Sequence, residues 1–372
     1  MAPVRIMMVL DTMDYGGTET HVISAAQSFE RIGAEVVIAA GGGKLQDLFS
    51  RKFPVYSLNW PAPQTEEYGR TIEKLAALMK RENISIVHIH QTPSGLIAAL
   101  AAERLRIPVV FTVHGTYYPQ GELISVMEHS SAVISVSKPV EIHIRRFGRE
   151  SHLIPNGVDL DTFSPSIDSS PHPLRQQFGI PEHAPVVVYA SRLTWGKATV
   201  CSHLLAAAKH LRLSSFRNLE VVVVGDGFQA GDLRNLAARI NTEIGKTFIH
   251  MAGNQTRMAD YYRMSDCVVG TGRVALEAMA CGKPVLAVGN AGYFGWVAPD
   301  YHDAAWEMYF GDHGSVRGVN RLILMESLFK GLSNRDGLNY HGSKNREWVE
   351  QFFNAEVMAQ KMMEVYKGLL SE

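Results

Sequence analysis

Residues 265–288 predict a strand, a glycine loop, a helix and a second strand in direct succession, which restricts the fold more than any other stretch. Cys267–Val269 is a short run, rich in β-branched residues, of the kind that forms buried strands. Two glycines follow, and strong helix formers then continue as far as Gly282, a residue type favoured just past helix ends. The apolar run 285–288 predicts a returning strand. The segment is therefore one βαβ unit of a parallel α/β sheet.

The same unit predicts a binding place for a phosphate group. Glycine lets the backbone approach a ligand closely, and the amides of Gly272, Arg273 and Val274 would point out of the helix N-terminus with partial positive charge. Glu277 lies about one turn further on, where its carboxylate could accept hydrogen bonds from two ribose hydroxyls. Glycine turns and surface glutamates are common in α/β proteins, so this loop alone leaves a nucleotide site and a plain turn equally open.

The sequence of this segment, G-T-G-R-V-A-L-E-A-M-A-C-G-K-P-V, resembles the donor-site signature of family 4 of the retaining glycosyltransferases. This family is also called the group 1 glycosyl transferases. The resemblance implies the GT-B fold: two Rossmann-like parallel-sheet domains facing each other across a cleft, with a C-terminal helix crossing back to the first. In that family two glutamates stand eight positions apart. The second matches Glu277, whereas the first, which typically contacts hydroxyls of the donor sugar, would fall on Val269. The resemblance therefore predicts a nucleotide but not a particular sugar.

A second glycine loop follows the first predicted strand, Val4–Leu10. Gly16 and Gly17 lie just before a helical pattern that Thr18 could cap. The spacing does not fit the G-x-G-x-x-G dinucleotide fingerprint. It resembles the G-G-x-E loop of the same family, which implies that these glycines face the donor phosphates. A plain tight turn remains the alternative.

Two histidines lie on one face of the predicted strand 84–90. His88 and His90 alternate with apolar neighbours. A metal-binding pair is one interpretation, but no third ligand is near in sequence. We favour a packed His88 and a His90 that lines the carboxyl end of the strand.

Further candidate site residues lie where predicted strands end. His114 follows the strand 108–113, at the edge where open α/β sheets bind ligands, and the resemblance implies a place close to the donor sugar. Arg192 and Lys197 lie in a loop that enters a helix, where the resemblance implies a clamp on the diphosphate. Gly253 ends the strand that, by resemblance, borders the nucleobase. The alternative interpretations are that His114 only lines the pocket and that Arg192 and Lys197 are ordinary surface cations.

Length and composition limit the remaining possibilities. A chain of 372 residues favours two domains. We expect an acceptor-binding domain at 1–165 with a returning helix at 347–372, a linker at 166–185, and a donor-binding domain at 186–346. The net charge of −1 disfavours a nucleic-acid-binding protein.

The cysteines and the hydropathy pattern favour a cytoplasmic protein. The three cysteines are an odd number in apolar contexts, which is typical of reduced core thiols, and their spacing to histidines matches no zinc site. The first residues have no signal-peptide pattern, and no apolar run approaches the ~18 residues of a membrane span. The basic stretch 142–149 is usually a solvated helix end; with a lipid-linked acceptor it could touch anionic headgroups at the inner face of the membrane.

The resemblance implies transfer of a hexose-type sugar from a nucleoside diphosphate sugar, by default a UDP-sugar, to an unidentified acceptor hydroxyl, with retention at the anomeric carbon. Such a reaction belongs to polysaccharide or glycoconjugate synthesis. We expect no cofactor and no metal, since Arg192, Lys197 and the helix N-terminus would stabilise the departing diphosphate. No carboxylate can be placed beneath the anomeric carbon. This favours a front-side reaction in which the departing phosphate accepts the acceptor's proton.

Two other functions stay open. A sugar-nucleotide epimerase on the same fold would share the nucleotide pocket, and it would convert the donor without an acceptor. A sugar-nucleotide-binding protein without catalysis is suggested by Val269, and it would bind the donor without turnover.

Overall fold

Two parallel β-sheets form the centres of the two units into which the chain divides. The computed structural model describes residues 3–165 and 172–371. The first unit comprises Met1–Gly157 and Asn354–Glu372, and the second comprises Val158–Phe353.

The sheet of the first unit has seven strands in the order β3-β2-β1-β4-β5-β6-β7, and all neighbours pair in parallel. These strands are β1 (Arg5–Leu10), β2 (Glu35–Ala40), β3 (Val55–Ser57), β4 (Ile86–Ile89), β5 (Val109–Val113), β6 (Ala132–Ser135) and β7 (His152–Leu153). The central strands are buried and largely apolar, as strands covered by helices on both faces must be.

Helices alternate with these strands. They are α1 (Gly17–Arg31), α2 (Gln46–Ser50), α3 (Glu66–Arg81), α4 (Thr92–Glu103), α5 (Gln120–Glu128), α6 (Lys138–Arg145) and, from the end of the chain, α15 (Ala355–Ser371). The hydroxyl of Thr65 accepts a hydrogen bond from the Tyr68 amide and caps the N-terminus of α3. The helix therefore begins about one turn before its first buried residue, Thr71.

The sheet of the second unit has six strands in the order β10-β9-β8-β11-β12-β13, and only the edge strand β13 runs antiparallel. These strands are β8 (Val186–Ala190), β9 (Glu220–Val224), β10 (Ile249–Gly253), β11 (Cys267–Gly270), β12 (Val285–Val288) and β13 (Tyr293–Trp296). The predicted βαβ unit is present as β11, a helix and β12.

The helices of the second unit are α7 (Pro173–Gln177), α8 (Trp195–Ser214), α9 (Ala230–Ile244), α10 (Met258–Met264), α11 (Gly272–Ala280), α12 (His302–Glu307), α13 (Arg321–Ser333) and α14 (Arg335–Phe352), with 3₁₀ turns at Pro299–Tyr301 and Tyr309–Gly311. Side chains on both faces of the sheet form the core of this unit.

The returning helix expected at 347–372 is interrupted. Phe353 ends α14, and its carbonyl accepts a hydrogen bond from the Val158 amide. The side chain of Asn354 then accepts a hydrogen bond from the Glu356 amide at the start of α15. An asparagine in this position favours a new helix start over a continued helix, and only the part after Phe353 belongs to the first unit.

The first crossing between units comes earlier than the expected domain boundary at 165. Val158 and Phe163 pack in the core of the second unit, and the carboxylate of Asp159 accepts hydrogen bonds from the Asp161 amide and the Thr162 hydroxyl. Residues 172–185, expected to be linker, also belong to the second unit. The expected linker residues 166–171 lie outside the described residues.

The basic stretch 142–149 spans the end of α6. Arg145 pairs with Glu141 and Glu150, and Arg149 donates to the Ser130 carbonyl, so these charges are partly compensated. Throughout residues 3–165 and 172–371, every helix is too short or too polar to cross a bilayer.

Candidate functional site

Each sheet has a topological switch point, where strand order reverses and ligands typically bind at the carboxyl ends of the strands. In the second unit this point lies between β8 and β11, and in the first unit between β1 and β4. The loops that leave these four strands carry most of the residues predicted for the site.

In the second unit, Lys197 lies in the first turn of α8, directly after β8. Its ammonium group donates to Asp312 Oδ2 over 3.2 Å, and the two side chains are 24% and 16% exposed. The Tyr189 hydroxyl, at the end of β8, donates to the Lys197 carbonyl over 2.6 Å. The amine is therefore held in a partly desolvated place, where a charge has more effect than on an open surface.

Asp312 connects this lysine to a neighbouring loop. Its Oδ1 accepts a hydrogen bond from the Asn290 amide over 3.3 Å. Gly196 approaches the same loop so closely that a Cβ there would lie 3.0 Å from Asn290 Oδ1. The start of α8 and the loop after β12 thus meet around Asp312.

The N-terminus of α11 joins the same group of loops. The Thr271 hydroxyl donates to the carbonyls of Tyr309 (3.2 Å) and Phe310 (2.8 Å) instead of capping the helix. Among the described residues no side chain caps this helix or α8. The first-turn amides of Gly272, Arg273 and Val274 therefore remain suited to a ligand with negative charge.

The segment 309–313 holds these parts together. Tyr309, Phe310 and Gly311 all have positive φ angles, from 47° to 88°. A Cβ on Gly272, whose own φ is 53°, would lie 3.1 Å from the Tyr309 ring. Non-glycine residues in this backbone region are strained, and such strain is concentrated at functional sites.

Arg192 and Gly253 lie at the same edge of the sheet. Arg192 is exposed in the turn before α8, and its carbonyl accepts a hydrogen bond from the Thr194 amide. Gly253 ends β10 with a φ of 68°, and its carbonyl accepts a hydrogen bond from the Gly225 amide.

Glu277, which we expect to bind ribose, is buried in this structure. Its Oε1 accepts from Arg273 Nε over 2.7 Å and its Oε2 accepts from the Tyr262 hydroxyl over 3.1 Å. The side chains of Arg273 and Glu277 are 8% and 6% exposed. Burial raises the pKa of the Glu277 carboxyl, although Arg273 and Tyr262 oppose this shift. The pattern of helix formers could not show that both charges face inward.

Val269 is a core residue of β11. It is fully buried and pairs with Tyr189 and Leu286 on the neighbouring strands. The position at which the family carries its first glutamate is therefore filled here by an apolar side chain in the sheet.

In the first unit, the loop with Gly16 and Gly17 leads into α1. Gly16 is the N-cap in an extended conformation, and the helix begins at Gly17. The suggested cap by Thr18 is wrong: within the described part of the chain no side chain caps α1, and the Thr20 hydroxyl donates back to the Gly16 carbonyl over 2.9 Å. The first-turn amides of α1, like those of α11, therefore have no side-chain cap among the described residues.

His114 lies at the end of β5, and the structure places it in a cluster of imidazoles. Its Nε2 is 3.2 Å from Nδ1 of His90, and its ring centroid is 4.8 Å from that of His21. His90 follows the carboxyl end of β4, as expected, and it is fully buried there. His88 is packed, as predicted, and its ring nitrogens share hydrogen bonds with Thr112 and Tyr366.

Burial keeps the imidazoles of His88 and His90 neutral. It lowers the pKa of His88 from 6.5 to about 3, with a contribution from His114. Burial and the neighbouring imidazoles lower the pKa of His90 well below its ordinary value. In the unfolded chain, both histidines take up protons below about pH 6.5.

The protein is therefore expected to lose stability as the pH falls below 6.5. The unfolded chain then binds more protons than the folded chain, at a cost of about 1.4 kcal/mol per pH unit for each depressed histidine. Urea unfolding at pH 7.5 and pH 5.5 measures this loss. The variant His88→Gln should lose about 1.4 kcal/mol less between these pH values, whereas exposed His210→Gln should behave like the parent; equal losses in all three proteins would contradict the prediction.

Sequence reasoning missed the segment that organises the second-unit site. No local pattern indicates Asp312 or Tyr309, because nothing near them in sequence relates them to Lys197. The available signal was the run F-G-D-H-G at 310–314, where an acid and a histidine stand between glycines after the last strand.

Comparison with protein families gives two matches that together span most of the chain. The model for Glycosyltransferase Family 4 matches residues 15–162, and the model for Glycosyl transferases group 1 matches residues 172–335. The first match includes the histidine cluster, and the second includes Lys197, α11 and Asp312.

Individual proteins show the same likeness. A D-inositol 3-phosphate glycosyltransferase of Xylanimonas cellulosilytica is 28% identical over 76% of this chain and 77% of its own length. Among solved structures, the Anabaena protein HepE in complex with UDP-glucose has a TM-score of 0.77 at 20% identity, covering 98% of this chain and 99% of that one. Sucrose-phosphate synthase from Thermosynechococcus elongatus has a TM-score of 0.74 at 19% identity and covers 99% of both chains. The structural likenesses concern the fold alone, and they confirm the predicted fold class.

Proposed function

Because the chain belongs to glycosyltransferase family 4, the group 1 glycosyl transferases, we propose that it moves a sugar from a UDP-sugar to an acceptor hydroxyl with retention at the anomeric carbon and without a metal ion. That it is a glycosyltransferase using a nucleotide sugar follows from the family. Uridine as the base, retention at the anomeric carbon and independence from a metal ion are what we propose in addition.

The observation that carries the proposal is the convergence around Asp312. Lys197, the start of α8 and the N-terminus of α11 are joined through the segment 309–313 at the switch point of one sheet. An ammonium group and two uncapped helix ends suit a diphosphate, which carries its charge on several oxygens.

The proposed chemistry follows from the charge of the leaving group. Breaking the bond between sugar and phosphate leaves negative charge on the diphosphate and an oxocarbenium-like sugar. Lys197, Arg192 and the amides of Gly272–Val274 would stabilise that charge, because fixed donors need no reorganisation during the reaction. When the diphosphate binds, it would replace Asp312 as the partner of Lys197.

Retention is proposed through a front-side reaction. Val269 leaves the family's first glutamate absent, and a carboxylate nucleophile is therefore not assigned. The departing phosphate would accept the proton of the acceptor hydroxyl, while His114 would contact the donor sugar. Gly16 and Gly17 would bind the donor phosphates through the N-terminus of α1, and Gly253 would border the base.

The experiment is a donor and acceptor screen read by NMR. The full chain is incubated with UDP-sugars and the corresponding ADP- and GDP-sugars, with polyol phosphates and reducing-end glycans as acceptors. We expect UDP release and a product with the donor's anomeric configuration, unchanged by EDTA. Inversion, or activity abolished by EDTA and restored by Mg²⁺ or Mn²⁺, would overturn the mechanism.

Reactions without acceptor distinguish the alternatives. A new sugar nucleotide formed from the donor alone would identify an epimerase. Donor binding seen as a thermal shift, with no transfer or hydrolysis for any acceptor, would identify a binding protein.

A further inference from the structure

Three histidines from three separate elements of the first unit meet at one point. His21 comes from α1, His90 follows β4 and His114 follows β5. One ring nitrogen of each lies within 4.8 Å of a ring nitrogen of the other two. Because α1 and the ends of β4 and β5 are fixed by the sheet, this convergence belongs to the fold.

The cluster contains a buried polar atom that the protein itself does not satisfy. His90 is fully buried, and its Nδ1 faces His114 Nε2 at 3.2 Å. Its Nε2 has no hydrogen-bond partner among the described residues. Either tautomer leaves a donor or a lone pair unused, and buried polar atoms of this kind call for a bound water, ion or ligand.

His88 packs against His90, next to the three-histidine cluster. Both of its ring nitrogens are occupied, by Tyr366 of α15 and by Thr112 of β5. Its ring centroid lies 4.2 Å from that of His90, which restricts movement of the His90 ring. His88 therefore fixes the orientation of a neighbour and is not itself available as a ligand.

We propose that His21, His90 and His114 bind a late first-row divalent cation, with Zn²⁺ the best fit. Neutral imidazole suits zinc, copper and nickel, whereas magnesium and calcium need oxygen ligands that this group lacks. Three histidines with a fourth position left open form a known type of zinc coordination.

The geometry requires only a modest adjustment. Zinc–nitrogen bonds of about 2.0–2.1 Å place two ligand nitrogens roughly 3.3 Å apart in a tetrahedral site. One ring nitrogen of each of the three histidines already lies within 4.8 Å of one from each of the others. His114 is the one partly exposed member of the three, so an ion has a path of entry beside it.

This metal site goes beyond the proposed function, and metal binding to the three histidines does not depend on that function. The charge of the departing diphosphate is assigned to residues of the second unit. A bound ion would, however, occupy the His114 nitrogen that the proposed function places beside the sugar, so an inhibitory effect on transfer would rest on both proposals.

The test is direct metal binding to the full chain, measured without any activity. Metal-free protein is titrated with Co²⁺, whose visible absorption reports nitrogen ligation in a four-coordinate site, and Zn²⁺ is then added as a competitor. We expect saturation at one ion per chain and displacement of Co²⁺ by Zn²⁺. The variants His21→Gln, His90→Gln and His114→Gln should each lower the affinity by more than the ~10–100-fold typical of an outer-shell change.

A matched control separates the cluster from histidines in general. His210 is exposed on α8 of the second unit, and His210→Gln should bind both ions as the parent does. Circular dichroism and thermal melting check that each variant is folded, and His114→Gln disturbs the core least. Absent binding to the parent, or equal binding by parent and folded His114→Gln, would overturn the proposal.

Discussion

Replacing Lys197 with alanine is expected to lower kcat by about 10²–10³-fold, the scale observed when one preorganised donor to a developing charge is lost. The ammonium group lies within 3.2 Å of Asp312, in the same group of loops as the uncapped N-terminus of α11. In the variant, the diphosphate would leave without this cation, and Asp312 would add an uncompensated negative charge nearby. Initial rates at saturating donor measure the effect.

Lys209→Ala is the matched control for this experiment. Lys209 lies on the same helix and pairs with Glu243 away from the switch point, so its variant should keep the parent's rate. Asp312→Asn removes the competing anion and leaves Lys197 in place, and it should lower kcat far less than Lys197→Ala. Near-parental turnover by Lys197→Ala would refute the assignment of the lysine to the diphosphate.

Replacing Arg273 with alanine is expected to lower the free energy of unfolding by about 3–5 kcal/mol, as typically follows when one partner of a buried ion pair is removed. Glu277 would then remain charged without its 2.7 Å partner or take up a proton inside the core. Burial already raises the pKa of this carboxyl, and Arg273 opposes that shift. Removing Arg273 therefore makes the charged form of Glu277 still less stable. Urea unfolding at pH 7.5 gives the difference.

The double variant Arg273→Met, Glu277→Gln tests the cause of this loss. It removes both charges and keeps a side chain of similar size that can accept from Tyr262, so it should recover most of the lost stability. A double-mutant cycle completed with Glu277→Gln alone and Arg273→Met alone gives the coupling energy of the pair. If the double variant is as unstable as Arg273→Ala, packing and not the unpaired charge explains the loss.

The parallel strands and the helices between them could be predicted from local patterns. The apolar run 285–288 matches β12 residue for residue, and the glycine loop at 270–272 leads into a helix as expected. The places of His114, Arg192 and Lys197 at strand ends followed from the rule for open sheets. Their roles toward a donor stay predictions.

The remaining features depend on contacts between distant parts of the chain. His21 and His90 are separated by two helices and three strands, so only the folded sheet brings them together. Lys197 and Asp312 are 115 positions apart, and no local pattern relates them. The inward orientation of Glu277 depends on Tyr262, which lies on another helix.

The interruption at Phe353–Asn354 makes the first unit discontinuous in sequence, with the second unit inserted between its parts. During synthesis, residues 158–353 therefore leave the ribosome before α15 does. Until then Phe29 lacks the neighbouring ring of Tyr366, and His88 lacks its buried hydrogen bond with the Tyr366 hydroxyl. The first unit therefore cannot complete its core until α15 is available, whereas every residue of the second unit precedes α15 in the chain.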